Sequence, residues 1–77
     1  MDAMMRVPII DTIGMEGLRS VFLVNLAALG MKLGDVIEVW GDCPSFEDEL
    51  RVWCMWSRKT LLSVEQEALI TKMRIQF

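Results

Sequence analysis

A run of β-branched and aromatic residues lies at the middle of the 77-residue chain and reads Val36-Ile37-Glu38-Val39-Trp40. It is bounded by Gly34-Asp35 before it and Gly41-Asp42 after it. Such a run between two pairs of turn residues predicts a β-strand.

The remaining segments predict a fixed order of elements. They comprise a strand at residues 7–10, a helix at 18–31, a helix that opens at Pro44-Ser45 and ends near Ser57, and strands at 60–65 and 70–77. Either Gly30 or the turn around Gly34-Asp35 stops the first helix. Strands joined through helices become parallel neighbours by right-handed crossover, and a short final turn gives an antiparallel hairpin. The sequence therefore predicts a single domain over residues 1–77. It is an α+β, two-layer α/β sandwich of order βαβαββ, with a four-stranded mixed sheet and two helices on one face.

The start of the second helix carries its own signals. Ser45 and Asp48 have the spacing of a capping box, with Asp in place of the usual Glu or Gln. Glu47, Asp48 and Glu49 fill the first turn, where negative charge complements the helix dipole. We therefore expect Ser45 to cap this helix.

Composition excludes several classes of function. The net charge is −3 and the basic residues are scattered, so the basic patch of a nucleic-acid binder is missing. With no histidine and two cysteines eleven positions apart, no zinc site and no cofactor are predicted. No stretch approaches the roughly 20 apolar residues of a membrane span. Two cysteines without a signal peptide lead us to expect a reduced, cytoplasmic protein without membrane insertion.

The segment Asp11 to Ser20 contains the end of the first strand, a turn at Gly14 and the start of the first helix. This layout resembles the TusA/SirA family of small sulfur-carrier proteins. The family has Gly-x-x-Cys-Pro-x-Pro here, whereas this chain has Gly17-Leu18-Arg19-Ser20 at the last four positions, so the cysteine and both prolines are replaced. Collinear similarity extends over essentially the whole chain, through residues 33–39, Asp42-Cys43-Pro44, Trp53-Cys54 and residues 60–64.

The resemblance implies a place in sulfur relay, in which a persulfide passes between proteins. Because Gly17 replaces the persulfide cysteine, we expect a divergent member that acts mainly as a protein-binding module and is no enzyme by itself. Two alternatives stay open. One is an active persulfide carrier that uses Cys43, and the other is a degenerate subunit that pairs with an intact carrier. A cysteine desulfurase or a sulfur acceptor would be the partner.

Cys43 precedes Pro44 at the start of the second helix, in a loop expected to lie beside Gly17 because the first two strands are parallel. A helix start can lower the pKa of a thiol, but the acidic first turn is expected to raise it here. Cys43 is the candidate persulfide carrier, with a loop cysteine of no function as the alternative. Cys54 falls on the inner face of the helix and is expected to be core. No histidine can activate Ser20.

The other carboxylates do not form a recognisable acid–base pair. For Glu38, Glu65 and Glu67, on or near the strands, the sequence indicates no partner.

Both helices are more apolar than a two-layer sandwich requires, since each should expose one polar face to water. From Val21 to Met31 the only clearly polar residue is Asn25. Five apolar side chains are predicted on the outer faces, at Leu26, Leu29, Val52, Met55 and Trp56. Their faces could instead pack against each other, but we expect them to form one apolar interface for proteins. Its simplest use is self-association as a homodimer.

Overall fold

A computed structural model describes residues 7–77. The elements are β1 (Ile9–Asp11), α1 (Gly17–Ala28), β2 (Val36–Gly41), α2 (Phe46–Ser57), β3 (Thr60–Glu67) and β4 (Ile70–Gln76). This confirms the predicted βαβαββ order and the α+β sandwich of two helices on a four-stranded mixed sheet. Between residues 7 and 77 neither helix has the length and apolar content that crossing a bilayer requires.

The strand predicted from the Val36 run lies inside the sheet, whose order is β1-β2-β4-β3. β2 pairs in parallel with β1, with Ile10 opposite Val39, and antiparallel with β4, with Ile37 opposite Ile75. β3 and β4 form the predicted antiparallel hairpin. Because β1 and β2 are parallel, their carboxyl ends meet at one edge of the sheet, and both helices begin there.

One face of the sheet and the inner faces of both helices form the core. The core comprises Val24, Ile37, Val39, Phe46, Leu50, Trp53, Cys54, Met73 and Ile75. Cys54 is 4% exposed, as predicted for a core residue, and burial raises the pKa of its thiol. α1 is joined to α2 by a hydrogen bond of 2.8 Å that Trp53 Nε1 donates to Asn25 Oδ1. Asn25, the one clearly polar residue between Val21 and Met31, therefore orients a tryptophan between the helices.

One predicted helix boundary and one predicted cap are wrong, whereas the predicted bounds of α2 are confirmed. α1 ends at Ala28, just before the predicted stop at Gly30, and does not reach residue 31, because the N–H groups of Leu29, Gly30 and Met31 bond carbonyls only three residues back. These bonds tighten the chain into a turn. At α2 the Ser45 hydroxyl makes no capping bond, so the predicted capping box does not form.

The sheet face opposite the helices is polar and internally paired. Arg74 Nε donates to Glu38 Oε1 at 2.8 Å, and Trp40 Nε1 donates to the other oxygen of that carboxylate. Lys72 pairs with Glu67 and lies over the Trp40 ring. The expectation that Glu38 and Glu67 lack partners is therefore wrong, because cross-strand register, which the sequence does not display, brings the basic side chains of β4 to them.

Candidate functional site: the Cys43 loop and the helix face

Hydrogen bonds join the two loops that leave β1 and β2. Thr12 N–H donates to the Trp40 carbonyl at 2.9 Å, which extends the parallel pairing by one residue. Gly14 N–H donates to Asp42 Oδ1, also at 2.9 Å. The loop before α1 is thereby held against the loop before α2. The predicted proximity of Gly17 and Cys43 follows from this junction.

Ser20 is part of this junction and is 1% exposed. Its Oγ donates to Thr12 Oγ1 at 2.9 Å, and Thr12 Oγ1 donates to the Trp40 carbonyl at 2.7 Å. The hydroxyl therefore has a buried structural partner and does not face solvent. This chain of bonds fixes the first turn of α1 to the end of β2.

Gly17, the first residue of α1, has no room for a side chain in the observed packing. A Cβ placed on it would lie 2.5 Å from Glu49 Oε2 and 2.7 Å from Ser45 Oγ. Both distances are below van der Waals contact, so Glu49 would have to turn away before any larger residue could fit. The carboxylate of Glu49 thus occupies the space above the start of α1, and negative charge at this helix terminus is favourable.

Cys43 is half-buried, and its Sγ lies 3.4 Å from Ser45 Oγ. Hydrogen bonds from the Ser45 hydroxyl, the Ser45 N–H and the Gly17 N–H lower the pKa of the Cys43 thiol, whereas burial and, to a smaller extent, the charge of Glu49 raise it. Glu49 acts in the expected direction, but the expectation of a raised pKa is wrong on balance, because these three hydrogen bonds outweigh burial and the charge of Glu49. The Ser45 hydroxyl therefore contacts the Cys43 sulfur and does not cap α2.

The thiol also lines a cavity of about 360 Å³ between the start of α2 and the β3–β4 hairpin. Asp42, Glu47, Gln66 and Leu69 contribute to its walls. Cys43 is therefore accessible to a small reagent, whereas Cys54 is closed off in the core.

Replacing Ser45 by alanine is expected to raise the pKa of Cys43, because Ser45 is the largest cause of its lowering. Alkylation of Cys43 by iodoacetamide, followed by intact mass across pH, would then show its midpoint moved to higher pH. Cys54 serves as an internal control and should stay unmodified in the folded protein. An unchanged midpoint in Ser45→Ala would show that Ser45 does not stabilise the thiolate.

The second feature of the site is the outer surface of the two helices, here called the helix face. It consists of Leu18, Phe22, Leu26, Leu29, Val52, Met55 and Trp56, all exposed. Leu29, after α1, is 84% exposed and Trp56, on α2, is 82% exposed. The alternative that the outer faces of the two helices pack against each other is therefore wrong. The structure exposes all five residues predicted for the interface and adds Leu18 and Phe22. Leu18, Phe22 and Leu26 follow one another at intervals of four residues, so they share one side of the helix. This spacing is the signal that could have identified Leu18 and Phe22.

A groove of about 460 Å³ runs between the helices within this face. Its walls are apolar and come from Leu18, Val21, Val52, Trp53 and Trp56. Asp48 and Glu49 line the groove at the start of α2. The helix face is therefore a continuous apolar surface with an acidic end.

No protein-family model matches the sequence, and comparison with curated proteins finds no match either. Among residues 7–77 no three acidic or cysteine side chains are grouped closely enough to hold a metal ion. The candidate site therefore rests on two features of the described residues, the accessible thiol of Cys43 and the helix face.

Proposed function

We propose that this protein is a protein-binding module that uses the helix face as its docking surface. One observation carries the proposal: seven large apolar side chains, including Trp56 and Met55, stand exposed side by side on α1, α2 and the turn after α1. In a folded domain of this size, apolar surface left in water weakens the hydrophobic driving force for folding and invites aggregation. A partner that covers the face removes that cost.

The size of the face supports this role. From their exposed fractions, the seven side chains offer on the order of 800 Å² of surface, which is about what each partner of a standard interface buries. The largest apolar patch on a typical monomer is roughly 300–600 Å². Tryptophan and methionine are also enriched at protein interfaces relative to the rest of the surface.

Photo-crosslinking in cells tests this proposal. A benzoylphenylalanine at position 55 is expected to crosslink to a protein, because Met55 is 71% exposed within the helix face. The matched control is position 33, since Leu33 is also apolar and 97% exposed but lies before β2, outside both the helix face and the Cys43 cavity. Protein adducts at 55 and none at 33 support the proposal. Equal crosslinking at both positions, or none at 55, contradicts it.

The resemblance to the TusA/SirA family suggests sulfur relay in the cytoplasm as the process that this module serves. In that setting the crosslinked partner would be a cysteine desulfurase, a sulfur acceptor or an intact sulfur carrier. An adduct with an intact carrier would favour the alternative that this chain is its degenerate subunit. The reduced state of Cys43 and Cys54 is compatible with the cytoplasm.

The geometry of Cys43 favours a second candidate function, an active persulfide carrier. Its lowered pKa and its place on a cavity are the properties that a sulfur-accepting thiol needs. The Cys43 thiolate would attack the outer sulfur of a donor persulfide. The S–S bond of the donor would break, and the donor cysteine would leave as a thiolate.

Incubation with a cysteine desulfurase and cysteine, followed by intact mass, tests this candidate. One added sulfur atom on the wild type and on Cys54→Ser, but none on Cys43→Ser, would establish it. If the wild type gains no sulfur, the carrier function is excluded and only the binding role remains.

A further inference from the structure

The two helices carry opposite charges at their two ends. α1 and α2 run in the same direction, because each follows one of two parallel strands and their first turns adjoin at Gly17 and Glu49. The beginning of the helix face carries Glu16, Asp48 and Glu49, with Arg19 as the basic residue beside them. The far end carries Lys32 and Arg58, which follow α1 and α2. Among the described residues, Asp48, Lys32 and Arg58 form no salt bridge.

The acidic end of the groove carries an unpaired carboxylate. Asp48 lines the groove, is exposed and forms no salt bridge among residues 7–77. A partner that brings a basic group to Asp48 would therefore gain more than the burial of apolar surface.

We infer that the partner of the helix face is a second copy of this chain, docked by a two-fold axis with its helices antiparallel. This inference rests on the proposed function and names its partner. The two-fold axis lies in the plane of the interface, perpendicular to α2 and level with Trp53. It puts Arg58 of each copy opposite Asp48 of the other, because residues 48 and 58 are each five positions from residue 53. The acidic end of each face then meets the basic end of the other, whereas a two-fold axis parallel to the helices would bring like charges together.

The same axis explains the groove and the exposed tryptophan together. Because residues 50 and 56 are each three positions from residue 53, Trp56 of one copy lies opposite residue 50 of the other. That position is next to the part of the groove that Leu18 and Glu49 line. An indole is the largest apolar side chain this chain can offer, and the groove of about 460 Å³ holds it. The combined surface of two such faces reaches the roughly 1,600 Å² of a standard interface.

Sedimentation equilibrium of the wild type and of single variants tests the inference. The wild type is expected to be a dimer of the 8.8 kDa chain. Trp56→Glu should weaken association by about 30-fold or more, since a central tryptophan is a typical hot spot. Leu69→Glu, the control outside the helix face, should leave the dimer unchanged. Circular dichroism should be the same for all, because both side chains are more than four-fifths exposed.

Charge reversal tests the orientation. Asp48→Lys and Arg58→Glu should each weaken the dimer by about 3–10-fold, and the double variant should restore it because the pair is reversed across the axis. A dimer that Trp56→Glu dissociates but the double variant fails to restore contradicts the antiparallel arrangement. A wild type that is monomeric at high concentration overturns the inference. In that case, crosslinks from position 55 to a different protein would still support the proposed function. Without such crosslinks, both the dimer and the proposed binding function would be contradicted.

Discussion

Replacing Phe46 by alanine is expected to destabilise the fold by about 3–5 kcal/mol, the usual cost of removing a buried aromatic ring. Phe46 is 1% exposed and is the largest fully buried side chain among the described residues. A domain of this length has a total stability of roughly 4–12 kcal/mol, so a large fraction of the variant would unfold. Urea denaturation followed by tryptophan fluorescence measures the loss.

Leu33→Ala provides the control for this measurement. Leu33 is 97% exposed and lies outside both the core and the helix face. Its truncation should change the free energy of unfolding by no more than about 0.5 kcal/mol. A loss below 1 kcal/mol in Phe46→Ala would mean that Phe46 is not the centre of the core.

Replacing Gly41 by alanine should also be strongly destabilising, although it adds only one methyl group. A Cβ on Gly41 would overlap the Phe46 ring, which is buried on all sides and cannot move away. Overpacking of this kind costs about 1–3 kcal/mol. The comparison of thermal or urea unfolding between Gly41→Ala and the wild type gives the value directly.

Gly17→Ala is the matched comparison. Its added Cβ would meet Glu49 Oε2 and Ser45 Oγ, which lie at the ends of side chains that can rotate. We expect it to cost less than 1 kcal/mol. Equal losses of unfolding free energy in Gly41→Ala and Gly17→Ala would contradict this account, because they would show that the mobility of the neighbouring side chain does not determine the cost.

The sequence predicted the order and type of every element because each has a local signal. The β-branched run of β2 lies between turn residues, and the turn before it contains Gly34, whose φ of +93° favours glycine. The inner face of α2 also followed from helical periodicity. The end of α1 was missed because i−3 hydrogen bonds after Ala28 replace the helical ones. Gly30, directly after the C-cap residue Leu29, is the signal in the sequence that favours this earlier end.

The chemistry around Cys43 was only partly predictable. Parallel strands predict that its loop lies near Gly17, but the sequence suggests that the nearby carboxylates dominate the pKa of the thiol. The donors that lower it, the Ser45 hydroxyl and the Gly17 N–H, come from the packing of two loops. Exposure of the helix face was predictable for a simpler reason: α1 and α2 contain more apolar residues than one buried face can hold.

Hydroxyl-radical footprinting at native abundance in a cell lysate tests the role of the helix face most directly. Oxidation of Leu29 and Met55, which both proteins contain, should be several-fold slower in the wild type than in purified Leu26→Glu/Trp56→Glu. Leu33 and Leu69, exposed apolar residues elsewhere, should react equally in both. Equal oxidation of Leu29 and Met55 in the two samples, or protection at Leu69 instead, would contradict a docking function for the helix face.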